Sequence, residues 1–130
     1  MLDREWVAAI AAEPDGRTKL RMFAEQLSTS LPRIAPVQLL IRGAAALDPE
    51  IAAVAQQLDD ERLAGMTAFA THLHGGGYLR RELINEQARD ILWTYNSVEL
   101  YELLGLKRAW PVARYRDFLA DTLAAALLPD

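Results

Sequence analysis

The sequence predicts an all-α protein, a bundle of about six helices. Three observations carry this. Alanine and leucine dominate and β-branched residues occur singly, which favours helix over strand. Apolar residues recur at three- and four-residue spacings, the period of a helix with one buried stripe. Helix-start signals, Asp15, Asp48-Pro49-Glu50 and Trp110-Pro111, punctuate the chain. No repeat, low-complexity segment or long linker divides the 130 residues, so they read as one domain.

Taken in order, Asp3 is placed to cap a short first helix through Trp6, Val7 and Ile10 to Ala12. Pro14-Asp15-Gly16 then turns the chain, with Asp15 as cap of a second helix from about Arg17 to Leu31. Leu20, Phe23, Leu27 and Leu31 share one face of it. Pro32 and Pro36 end or kink it, leaving a hinge at 32–36 and a short, mostly buried helix around Val37–Ile41. Asp48-Pro49-Glu50 starts a long helix to about Leu73, with stripes Ile51, Val54, Ala55, Leu58 and then Leu63, Met66, Phe69, Ala70, Leu73. Gly75-Gly76-Gly77 ends it and makes a second hinge. Asn85 is expected to cap the next helix, whose inner face is Ala88, Ile91, Leu92 and Tyr95, with Leu83 or Ile84 packing back as a staple. Ser97 restarts this helix, and Lys107-Arg108 close it. Pro111 opens the last, where Val112, Tyr115, Leu119, Thr122 and Ala126 keep a heptad-like spacing.

Composition excludes several classes. The chain is 52% hydrophobic, 25% charged and carries a net charge of −4, so it lacks the overall basic balance that phosphate neutralisation favours. It holds no cysteine, hence no disulfide framework and no thiolate metal site. No apolar run approaches the roughly eighteen residues of a membrane span, and Met1-Leu2-Asp3-Arg4-Glu5 lacks the apolar segment of a secretion signal. A cytoplasmic protein is expected.

The conspicuous polar motifs read as structural. His72 and His74 stand two apart, about 200° around a helix, and no carboxylate lies four residues on, so no metal is expected. The glycine triplet lacks the Lys-Ser/Thr of a phosphate loop. Arg80-Arg81, Lys107-Arg108 and Asp59-Asp60-Glu61 read as solvated charge. Ser28, Ser30 and Ser97 have no evident His and carboxylate partners, so neither an enzyme nor a cofactor is expected.

A series of segments nonetheless carries a resemblance: Asp3-Arg4-Glu5-Trp6-Val7, Ala12-Glu13-Pro14-Asp15-Gly16-Arg17, Leu20 to Glu25, Ala44 to Ala52, Gly77-Tyr78-Leu79-Arg80, Ala88 to Trp93, Val98 to Leu104, Trp110 to Tyr115 and Leu119 to Leu123. In this order, and above all in Leu92-Trp93, Glu99-Leu100-Tyr101 and Trp110-Pro111, they resemble the C-terminal regulatory domain of TetR-family transcription regulators, over nearly all 130 residues. The family's helix-turn-helix headpiece has no counterpart before Trp6, so no direct nucleic-acid contact is expected of this chain.

The resemblance implies a repressor's sensing and pairing domain. It would hold a small, mostly apolar effector among Phe23, Leu27, Met66, Phe69 and Trp93, with Gln26, Ser30, Arg42 and Asn96 as polar anchors. It would form a homodimer through Tyr95, Leu100, Leu103, Tyr115, Phe118, Leu119, Thr122 and Ala126. Two rivals stand beside this reading. One is a headless interaction protein that pairs with full-length regulators. The other is a small helical-bundle enzyme, which needs several arginines or lysines converging inside the bundle.

Overall fold

The computed structural model describes residues 4–130. Six α-helices and one π-helical turn follow in order: α1 Arg4–Ala12, α2 Gly16–Ala45, α3 Pro49–Gly75, α4 Asn85–Tyr95, α5 Val98–Tyr101, the π turn Glu102–Lys107, and α6 Val112–Leu127. There is no strand among the described residues, so the chain is an all-α bundle. The expected cap Asp3 lies outside the described residues.

The helix starts follow local chemistry. Asp15 accepts from the Thr18 amide at 2.9 Å and its hydroxyl at 2.7 Å, satisfying an orphan donor of α2. Asp48 accepts from the Glu50 amide at 2.9 Å, with Pro49 in the first turn. Ser97 accepts from the Leu100 amide at 3.2 Å and starts α5. The expectation for α4 is corrected. Ile84 holds the cap position, its amide donating to Gln87 Oε1 at 3.1 Å, and Asn85 is the first helical residue.

The largest correction concerns α2. It is one helix from Gly16 to Ala45 and runs through Pro32 and Pro36, so there is no break at 32–36 and no separate helix at Val37–Ile41. The two prolines stand four apart. The carbonyls they leave unpaired, those of Ser28 and Pro32, therefore lie on one face, and the rungs on the other faces persist. Leu31 and Ala35, buried beside them, hold the helix through this stretch.

The end of α3 requires two of its glycines. Gly77 has φ +75°, and the Tyr78 amide donates to Leu73 O at 3.0 Å while the Gly77 amide donates to His74 O at 3.1 Å. This is a Schellman motif, in which glycine adopts the left-handed conformation without a Cβ penalty. A Cβ on Gly76 would stand 2.4 Å from the Tyr78 ring. Farther on, the ring of Tyr101 lies over Gly105, where a Cβ would stand 2.3 Å away. There the chain relaxes into the π turn, and two residues beyond it Ala109 has φ 53°.

The core is built on α2. Leu20, Phe23, Leu27 and Leu31 meet Met66, Ala70 and Leu73 of α3, Leu92 of α4, and Tyr115, Leu119, Leu123 and Leu127 of α6. α6 lies along α2, and α4 along α3. The Arg80 amide donates to Leu127 O at 2.8 Å, fastening the α3–α4 connection to the end of α6. The core does not follow the hairpin of α2 and α3 to its tip: from Pro36 to Gly65 no residue is buried. Val37 is 58% exposed and Leu40 74%, against the expectation that they are interior.

Candidate functional site

The nine residues expected around an effector separate into several places. Phe23, Leu27 and Met66 are packed in the core. Gln26 and Ser30, both buried, bond each other at 3.0 Å. Arg42 lies at the surface, ion-paired with Asp59 and Glu99. Trp93 and Asn96 meet at Arg62, whose guanidinium donates to both backbone carbonyls and lies 4.7 Å from the Trp93 ring centroid. Phe69 packs edge-on against Phe23, with centroids 5.1 Å apart, and reaches an open space.

That space is a cleft of about 250 Å³ between α1 and α3, open to solvent on one side. Val7, Ile10 and Ala11 form one wall, Gly65, Ala68 and Phe69 the other, and His72 is the polar group in the lining. Gly65 and Ala68 leave room because they are small; a Cβ on Gly65 would meet nothing within 4 Å.

Behind His72 stands Lys19, fully buried on α2. Its ammonium donates to Ile10 O at 2.7 Å and Ala11 O at 3.2 Å, and lies 3.0 Å from His72 Nε2. Three protons thus meet three acceptors. Two of those acceptors are carbonyls at the end of α1, where the helix dipole favours a cation. With Lys19 donating, His72 Nε2 accepts, so the imidazole is neutral and carries its proton on Nδ1. Burial and the Lys19 charge both push the His72 pKa below its ordinary value, in keeping with the neutral form. Burial also lowers that of Lys19, partly opposed by Glu13. Tyr78 covers the group, with its ring centroid 5.0 Å from Lys19 Nζ.

Sequence reasoning did not single out Lys19 or Arg62. A signal was present for the first: Lys19, Phe23, Gln26 and Ser30 follow one another at i, i+4, i+7 and i+11, placing polar groups on the buried face of α2. Lys19 and Arg62 serve separate places, at the end of α1 and at the end of α4.

Of the residues expected to pair two copies, Tyr115 is 1% exposed and Leu119 0%. This is a correction, because both pack inside the single chain and offer no surface. Tyr95, Leu100, Phe118, Thr122 and Ala126 are half-buried, and Leu103 is exposed together with Leu106 and Val112. Tyr95 and Phe118 touch, with centroids 6.3 Å apart, and Trp110 meets Phe118 at 5.5 Å.

Among the described residues no group of three His, Cys, Asp or Glu is arranged to hold a metal ion. No helix among them is long and apolar enough to cross a membrane. Comparison with protein families, curated proteins and solved structures gives no match.

Proposed function

We propose that this chain is the effector-sensing and pairing domain of a TetR-like transcriptional repressor, and that its sensor is the cleft between α1 and α3. The observation that carries the reading is an apolar cleft of about 250 Å³ with His72, held in one tautomer by Lys19, in its wall. Such a site suits a small, mostly apolar molecule bearing one hydrogen-bond acceptor. α1 is held at its end by Lys19, so a ligand wedged against Val7, Ile10 and Ala11 acts on the position of α1. In a regulator whose DNA-binding headpiece joins ahead of α1, that displacement would change the headpiece spacing. The ligand regulates to the extent that it binds one spacing more tightly than the other.

Pairing is supported by the exposed apolar side chains Leu103, Leu106 and Val112 around the π turn, beside Leu100 and Phe118. A headless partner of full-length regulators would use the same face.

The cleft is tested by NMR titration with acetophenone, an apolar ring carrying one carbonyl acceptor. Binding is expected in the wild type and absent in Gly65→Leu, whose side chain fills the space; binding that survives the substitution overturns the site. The regulatory half is tested by removing the protein from its native cell and measuring transcripts, where an unchanged profile overturns it.

A further inference from the structure

The distal half of the α2–α3 hairpin has two apolar faces. Ile34 and Leu39 pack toward the bundle. Val37 and Leu40 turn away from it, and Leu47, in the turn that follows, is 91% exposed. Val37, Leu40, Ala44 and Leu47 succeed one another at steps of three, four and three residues, the spacing of a seam between two paired helices. Nothing in the described chain covers this seam.

We infer that a second copy of this chain covers it, through antiparallel pairing of the two α2 helices about a two-fold axis near Leu40 and Ile41. This goes beyond the pairing proposed above, because it uses residues remote in sequence from the C-terminal face. The occupant follows from charge. Arg33 begins the same stripe at the root of the arm, and Glu50 lies at its tip, in the first turn of α3. Both are exposed, and neither has an ion-pair partner among the described residues. Antiparallel pairing sets Val37 against Ala44 and brings Arg33 of one copy to the tip of the other, where Asp48 and Glu50 stand. The two-fold axis makes this exchange twice, as a self-complementary patch requires. A parallel arrangement would set Arg33 against Arg33 and Glu50 against Glu50.

The test is the mass of the full chain in solution, by light scattering at low micromolar concentration. Leu40→Glu is expected to halve the mass of the wild-type assembly while the helical circular dichroism stays unchanged. Arg33→Glu is expected to weaken association at least tenfold, and adding Glu50→Arg to restore it. A monomeric wild type, or a mass that Leu40→Glu leaves unchanged, overturns the inference. So does a mass that falls with Leu103→Glu in place of Leu40→Glu, since the C-terminal face would then be the sole contact. Acetophenone binding in the cleft is read separately and is unaffected by any of these outcomes.

Discussion

Lys19 and His72, fifty-three positions apart, lie 3.0 Å from each other and join α2 to α3 while the same lysine closes the end of α1. One buried ammonium thus holds three helices at the inner end of the cleft. Its cost in desolvation is offset by three acceptors rather than by a carboxylate.

Lys19→Met tests this junction. The substitution removes the buried charge but takes the charged donor from the Ala11 carbonyl and from the Ile10 carbonyl, which keeps the Glu13 amide at 3.3 Å, so it should destabilise the fold by about 1–3 kcal/mol. Urea unfolding measures the loss. Hydrogen exchange should rise first in α1, and an even rise across all helices would count against the junction.

The lowered pKa of His72 makes stability depend on pH. The unfolded chain takes up this proton more readily than the folded one, near the ordinary value of 6.5. The contribution is therefore full above about pH 6.5 and is lost as the pH falls below it toward the folded value. The urea midpoint should be lower at about pH 5.5 than at about pH 7.5, and His72→Gln, which keeps an acceptor for Lys19, should flatten that difference.

Arg62→Ala leaves the carbonyls of Trp93 and Asn96 without their charged donor and removes the cation from the Trp93 ring. A loss of about 2–3 kcal/mol is expected by thermal or urea unfolding. Arg62→Lys should recover only part of it, because one ammonium cannot reproduce the planar fork.

Two glycines of α3 and its cap should respond with opposite signs. Gly65 is a helical position with open space beside it, so Gly65→Ala should stabilise by up to about 1 kcal/mol. Gly77 is left-handed, so Gly77→Ala should destabilise by about 1 kcal/mol or more. The sign of each shift in denaturant midpoint decides the matter.

Ala109 is left-handed without being glycine, and Ala109→Gly should stabilise by about 0.5–1 kcal/mol, measured in the same way. A loss of stability would mean that the Ala109 methyl makes contacts worth more than the relieved strain.

The capped ends of this fold were legible because their chemistry is local. Asp15, Asp48 and Ser97 each act on an amide two or three residues ahead, and Gly77 on carbonyls just behind. What was not legible depends on distant partners. Proline signals a break, yet Leu31 and Ala35, gripped by the core, carry α2 past Pro32 and Pro36. The apolar pattern located Val37 and Leu40 but not the side on which anything covers them. Of the expected pocket residues, Phe69 lines the cleft, because its other wall comes from α1, whose approach to α3 depends on Lys19. A lone lysine among polar neighbours does not disclose that in sequence.

The core leaves α2 after Ala35 and enters α3 at Met66. The residues between are exposed or half-buried, and apart from half-buried apolar positions such as Leu39, from Arg62 and from the capping Asp48, a substitution there should cost folding no more than about 0.5 kcal/mol. Evolution can therefore rewrite the exposed positions of this stretch almost freely. Its choice of companion can drift while the bundle and its cleft stay as they are, because contact and folding are assigned to different lengths of the same two helices.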